Sequence, residues 1–171
     1  MARVYLSLGS NIEREPHICA ALDALQADFG TLEISSVYES EAVGFDGDPF
    51  FNLVVGIDTQ LEVGALSRAL KQIEDDNGRC RQGPKFSGRT LDIDILTYDQ
   101  RMGEVDGVAL PRLEVTENAF VLLPLAEIAG ARIHPQLGQS YAEIWQAYDQ
   151  HKQRLWTVDF EWQGRKISAA E

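Results

Sequence analysis

Apolar positions along the chain switch between a period of two and a period of three to four, and the switches mark its elements. Val4 to Leu8 is a short apolar run ending at Gly9-Ser10-Asn11, which predicts a strand entering a turn. Pro16 then opens a helix with Ile18, Leu22, Leu25 and Phe29 on one stripe, and Gly30 is its natural stop. Ile34 to Tyr38 predicts a second strand. The irregular stretch from Glu39 to Pro49 holds Gly44, Gly47 and several acids and reads as a surface loop. Phe50 to Thr59 is rich in aromatic and β-branched residues, a third strand. Leu61 to Asn77 carries Val63, Leu66, Leu70 and Ile73 at helical spacing, and Gly78 ends it. Thr90 to Tyr98 is the fourth strand.

The order strand, helix, strand, strand, helix, strand is that of a ferredoxin-like split βαβ arrangement. This is an α+β class, with an antiparallel sheet and helices on one face. Beyond it, Arg101 to Asp106 reads as turn or loop and Val108 to Pro111 as a short extended piece. Phe120 to Ala129 is a helix interrupted near Pro124. Tyr141 to Gln150 is a docking helix with Tyr141, Ile144, Trp145 and Tyr148 on one face. Trp156, Val158, Phe160 and Trp162 alternate, which predicts one final strand. These elements form a single domain over residues 1–164, and residues 165–171 are expected to fray. Internal repeats are absent from the sequence.

Composition narrows the function without changing this outline. At 171 residues with 44% hydrophobic content, the chain suits one soluble domain. A net charge of -12 argues against nucleic-acid partners, and no apolar run approaches a membrane span. The N-terminus lacks the hydrophobic core of a signal peptide, so a cytoplasmic location is expected. Cys19 and Cys80 have no metal-ligand spacing and fit reduced thiols, with a disulfide as the alternative that sequence alone leaves open. A lowered pKa for Cys80, between two arginines, stays open. The histidines His17, His134 and His151 suggest neither a metal site nor a catalytic pair.

One stretch stands out against the acidic background. Gly78 to Tyr98 places Arg79, Arg81, Lys85 and Arg89 directly ahead of a strand bearing Asp92 and Asp94. Residues two apart on a strand share a face, so the two carboxylates stand side by side and need a compensating cation. Hard oxygen ligands beside forked guanidinium donors are what a Mg-nucleotide requires. Gly83-Pro84 and Ser87-Gly88 give the loop joints on which to close over phosphates, although the Walker pattern GxxxxGK[ST] is absent. Upstream, Phe50, Phe51 and Asn52 suggest an aromatic slot ending in an amide, suited to a flat heterocycle, with one phenylalanine expected in the core.

The pieces YLSLGSN, ESEAVGF, DPFFN, the I-E-x-x-x-G-R-x-R run, GRTLDIDIL and FVLLPLAEIA follow one another over roughly residues 3 to 135. In that order they resemble the 6-hydroxymethyl-7,8-dihydropterin pyrophosphokinase family, folate-pathway enzymes that move pyrophosphate from ATP to a pterin alcohol. The resemblance implies that Asp92 and Asp94 hold two Mg2+ ions bridging the ATP phosphates. It implies that Glu74, Arg81 and Ile95 line the nucleotide site, and that Arg79 and Arg89 steer the triphosphate. The pterin slot would comprise Val43, Gly44, Phe50, Asn52 and Phe120, with the two rings sandwiching the ligand. The pterin hydroxyl then attacks the β-phosphorus and AMP leaves. Positioning and charge neutralisation carry such a transfer.

Three places depart from the family pattern. The usual W-G-P-R is Phe86-Ser87-Gly88-Arg89, the L-P-H whose histidine reaches the phosphates is Leu110-Pro111-Arg112, and an arginine before the slot phenylalanine is Asn118. Arg112 is assigned to the nucleotide phosphates in place of that histidine. The leading expectation is an active, Mg-dependent enzyme for ATP and a pterin alcohol, monomeric or weakly dimeric. A diverged enzyme for another heterocyclic alcohol and a binding protein with weak or no catalysis are the alternatives.

Overall fold

The computed structural model describes residues 1–40, 48–78 and 90–171. The sheet is built on β1 (Ala2–Ser10), β4 (Phe50–Thr59) and β5 (Asp92–Tyr98). The remaining main-sheet strands are β2 (Glu33–Ile34), β3 (Tyr38–Ser40) and β8 (Leu155–Thr157). The order is β5-β1-β4-β3-β8, with β2 also on β4, and every pairing is antiparallel. The expected α+β sheet is present. The turn expected at Gly9-Ser10 is not: β1 runs through both residues because it is paired on each side, Gly9 with Asn52 and with Asp92.

The helices α1 (Arg14–Phe29) and α2 (Val63–Asp76) cover one face. Ile18, Leu22 and Leu25 join Leu66, Leu70 and Ile73 over Leu6, Leu8, Leu53, Ile93 and Ile95. Burying each such side chain contributes roughly 1.5–3 kcal/mol, against the entropy of ordering it. The expected one-sided arrangement is incomplete. A second core, with Tyr5, Val54 and Leu96, is covered by α4 (Ala119–Ala129) and α5 (Tyr141–Ala147). The nearly all-apolar α4 continues through Pro124, held by packing on β4 and α5.

The second strand of the sequence reading splits in two. Ser35 exchanges backbone and hydroxyl hydrogen bonds with Val54, interrupting the ladder between β2 and β3. The Glu127 carboxylate on α4 accepts from the Ser36 N–H and hydroxyl and from the Tyr38 hydroxyl, tying that helix to the same interruption. Past β5, Asp106-Gly107 closes a hairpin of β6 (Gly103–Val105) and β7 (Val108–Leu110). Positive φ at both central residues is the backbone that favours such a turn.

The single final strand is likewise two: β8 extends the main sheet through β3, and β9 (Phe160–Trp162) turns back onto α1, where the Trp162 indole N–H donates to Asp23. The tail expected to fray carries a strand over its first four residues. β10 (Arg165–Ser168) pairs with β9, and the buried Ser168 hydroxyl accepts from the Val37 N–H at 2.9 Å. Among the described residues no helix is long and apolar enough to cross a membrane.

His134 is buried against the Tyr141 ring, with its Nδ1 accepting from the N–H groups of Gln136 and Leu137. Burial holds the imidazole below its ordinary pKa. The unfolded chain therefore takes up this proton first, so stability is full above about pH 6.5 and is lost as pH falls through the folded value. In urea unfolding, His134→Asn keeps the acceptor and should flatten the stability loss between about pH 7 and pH 5. An unaltered slope would show that this histidine does not contribute to it.

Candidate functional site: a carboxylate pair beside an amide-floored slot

Three adjacent strands end together at one edge of the site. Register places Asn52 on β4, Gly9 on β1 and Asp92 on β5 in one row, with Val54, Ser7 and Asp94 in the next. On β5 the side chains alternate. Ile93 and Ile95 enter the α1/α2 core, whereas Asp92, Asp94 and then Leu96 take the opposite, α4-covered face. Both aspartates stay half-buried rather than enclosed. Their strand is fixed from beneath: the Glu74 carboxylate on α2, itself buried, accepts from the Ile93 N–H at 2.7 Å. Glu74→Ala would strand that buried N–H and open a hole, costing about 2–3 kcal/mol of stability. A denaturant midpoint unchanged from the parent chain would refute this bracing role.

Gly9 is the site residue that sequence reading missed. A Cβ there would come to 3.3 Å from the Asn52 Oδ1 and 3.7 Å from the Phe50 ring. Having no side chain, Gly9 keeps the row between Asn52 and Asp92 clear of an atom that would press on the amide and the ring. A glycine inside a strand is the available signal, since it marks a close approach by something else. The amide is oriented by donating from Nδ2 to the Ser40 hydroxyl at 2.7 Å, which turns Oδ1 toward Gly9. Phe50 alternates onto the Asn52 face. Phe51 takes the other, packing edge-on against Phe160 and under Arg14, so one of the pair is core as expected.

Phe120 packs on the α4-side core from the first turn of α4. The residue before that turn, Asn118, makes no side-chain cap. Gln153 caps instead: its Oε1 accepts from the Ala119 N–H at 2.7 Å, and its Nε2 donates to the Asn118 Oδ1 at 3.0 Å. An amide from the C-terminal segment therefore fixes the helix that carries Phe120. No local pattern in the sequence announces this.

Arg112 reaches the carboxylate pair. Its guanidinium lies 3.8 Å from the Asp94 Oδ1, and its Nε meets the Glu114 carboxylate. The structure thus brings together Asp92, Asp94 and Arg112 around β5, with Glu74 behind it and Asn52, Phe50 and Phe120 on the same side of the sheet. The Ile95 side chain is buried on the opposite side and is not among them. Val43, Gly44, Arg79, Arg81 and Arg89, and the departure at residues 86–88, lie outside the described residues. Among the described residues no three acidic, histidine or cysteine side chains form a metal cluster. Two half-exposed carboxylates fit Mg2+, which keeps several waters and takes its other ligands from substrate phosphates.

One face of an antiparallel α+β sheet thus carries two neighbouring carboxylates together with two phenylalanines and an amide. The chain matches the family model described as 7,8-dihydro-6-hydroxymethylpterin-pyrophosphokinase over residues 5–130, and it belongs to that family. It is similar to the 2-amino-4-hydroxy-6-hydroxymethyldihydropteridine pyrophosphokinase of Bacillus subtilis, 38% identical over 128 residues that cover 72% of this chain and 76% of the relative. The enzyme of that name from Pseudomonas aeruginosa is 37% identical over 131 residues, 74% and 80% of the two chains. In fold it is similar to the Plasmodium falciparum HPPK-DHPS structure, with a TM-score of 0.72 at 13% identity. That match covers 98% of this chain and 50% of the solved one, so this chain spans about half of the larger protein.

Proposed function

We propose that this chain transfers pyrophosphate from ATP to 6-hydroxymethyl-7,8-dihydropterin with two Mg2+ ions at Asp92 and Asp94, releasing AMP. The observation that carries this reading is the register of three strands: Asn52, the bare backbone of Gly9 and Asp92 stand in one row. An acceptor held at the amide therefore lies beside the carboxylates that take the metal. When bound, the magnesium ions neutralise the phosphate oxygens and polarise the β-phosphorus.

The rest falls to the chain's own side chains. Phe50 and Phe120 supply apolar faces for a flat ring, and Asn52 supplies a fixed polar edge. Gly9 leaves the room for the ring to approach. The hydroxyl oxygen forms the new bond to the β-phosphorus while the bond from that phosphorus to the AMP oxygen breaks. The hydroxyl proton passes to solvent. Family resemblance assigns Arg79 and Arg89 to the triphosphate and Arg81 to the nucleotide site, and Arg112 is within reach of Asp94 to join them. Their fixed positive charge serves a transition state whose demand is electrostatic rather than covalent.

The test is to incubate the protein with ATP, Mg2+ and hydroxymethyldihydropterin and to measure AMP by chromatography. AMP and pterin diphosphate in equal amounts, dependent on all three components, are expected. Tight pterin binding without AMP would overturn the catalytic reading.

A further inference from the structure

Arg112 sits at the junction of two carboxylates with different tasks. Its N–H donates to the Leu96 carbonyl at 2.8 Å, which fixes the residue beside β5, two positions past Asp94. From there the guanidinium reaches the Asp94 Oδ1 at 3.8 Å and the carboxylate of Glu114, the first residue of α3 (Glu114–Glu117). Both ion-pair side chains at Asp94 are partly exposed, 38% for Arg112 and 41% for Asp94, so the guanidinium has room to leave. A guanidinium is never deprotonated and matches phosphate oxygens with a planar fork. It also opposes a metal ion, because two cations near one carboxylate compete for it.

We infer that Arg112 is a transferable counter-cation, which neutralises Asp94 before Mg-ATP binds and shifts onto the triphosphate when the metal takes that carboxylate. Glu114 is its positioning residue, holding the guanidinium within reach of both. The inference rests on the reading of Asp92 and Asp94 as the metal pair. One consequence is that metal alone binds weakly, since it must displace a resident charge. Nucleotide supplies the phosphates that accept the displaced arginine, so metal and nucleotide bind cooperatively, and the coupling is reciprocal.

The test is Mn2+ binding to the full chain, followed by electron paramagnetic resonance at low salt, with and without α,β-methylene-ATP. Arg112→Gln is expected to bind Mn2+ alone about three- to tenfold tighter, because an opposing charge is gone. It should also lose most of the gain in metal affinity that nucleotide brings. Arg112→Lys keeps the charge but not the fork, so it should retain weak metal-only binding while recovering only part of the nucleotide gain. Glu114→Gln leaves the guanidinium to Asp94 alone and should weaken metal-only binding about two- to threefold. Thermal melts report whether each variant is folded, and Arg112→Lys carries the test if Arg112→Gln is not. Mn2+ affinity that is unchanged or weaker in Arg112→Gln, or an undiminished nucleotide gain, overturns the inference. Failure of the parent chain to bind Mn2+ even with the nucleotide would overturn the metal reading and this inference together.

Discussion

Replacing Asp94 by alanine is expected to lower kcat for AMP formation by at least about a thousandfold while pterin affinity changes less than about threefold. The asymmetry follows from the sheet. Asp94 stands on β5 opposite Ser7, one row away from Gly9 and Asn52, so its side chain is not part of the slot floor. Its half-exposed position also means that truncation opens no core cavity, and the fold should survive. What disappears is one of two hard oxygen donors, with the electrostatic compensation a metal brings to a transferring phosphoryl group. Asp94→Asn should fall nearly as far, because an amide keeps the shape but not the charge. Single-turnover AMP release and pterin calorimetry measure the two quantities separately. An unchanged rate would sink the metal assignment.

Gly9→Val is expected to do the reverse at the other half of the site, weakening pterin binding by about a hundredfold or more with stability altered by only about 1 kcal/mol. The register puts Gly9 between Asn52 and Asp92, and even a Cβ would press to 3.3 Å from the Asn52 Oδ1. Valine adds two further methyl groups into that floor. The backbone itself has no objection: Gly9 is not at positive φ, and a β-branched residue suits a paired central strand. Gly9→Ala should give a milder loss, since the neighbouring amide need yield only slightly. Calorimetry with the pterin, alongside a thermal melt, distinguishes a blocked slot from a damaged fold. Pterin affinity within about twofold of the parent chain would show that the ring binds elsewhere.

The two variants together separate the halves of the proposed reaction. One spares the acceptor and stops transfer; the other spares the carboxylates and excludes the acceptor. Glu74 couples these halves to the fold, because its buried carboxylate holds the backbone between the two aspartates. It is the family's expected nucleotide-site residue, and this structure gives its carboxylate a contact that sequence could not supply. A carboxylate on a helix stripe carries no mark of which distant N–H it will meet.

What the sequence determined by itself is local. Alternation within β5 placed Asp92 and Asp94 on one face, and that follows from the pleat of a single strand whatever its neighbours. The apolar stripes of α1 and α2 and the bounds of β4 were likewise readable, as was the expectation that one of Phe50 and Phe51 is core. The family motifs added the reaction, because their order along the chain is itself sequence information.

Only the tertiary structure decided which distant residues meet. It made Gly9 a floor rather than a turn, by pairing β1 on both sides. It laid α4 and α5 over the second sheet face and gave the cap of α4 to Gln153, thirty-five residues beyond Asn118. It split the tail, sending β8 to the main sheet and β9 to α1, and it set Arg112 against Asp94. Periodicity reports the faces of one element, whereas register and contact between separated segments come from how those faces pack. The carboxylate pair and the ring and amide of the slot were therefore legible residue by residue, whereas Gly9 between them and the contact of Arg112 with Asp94 were not.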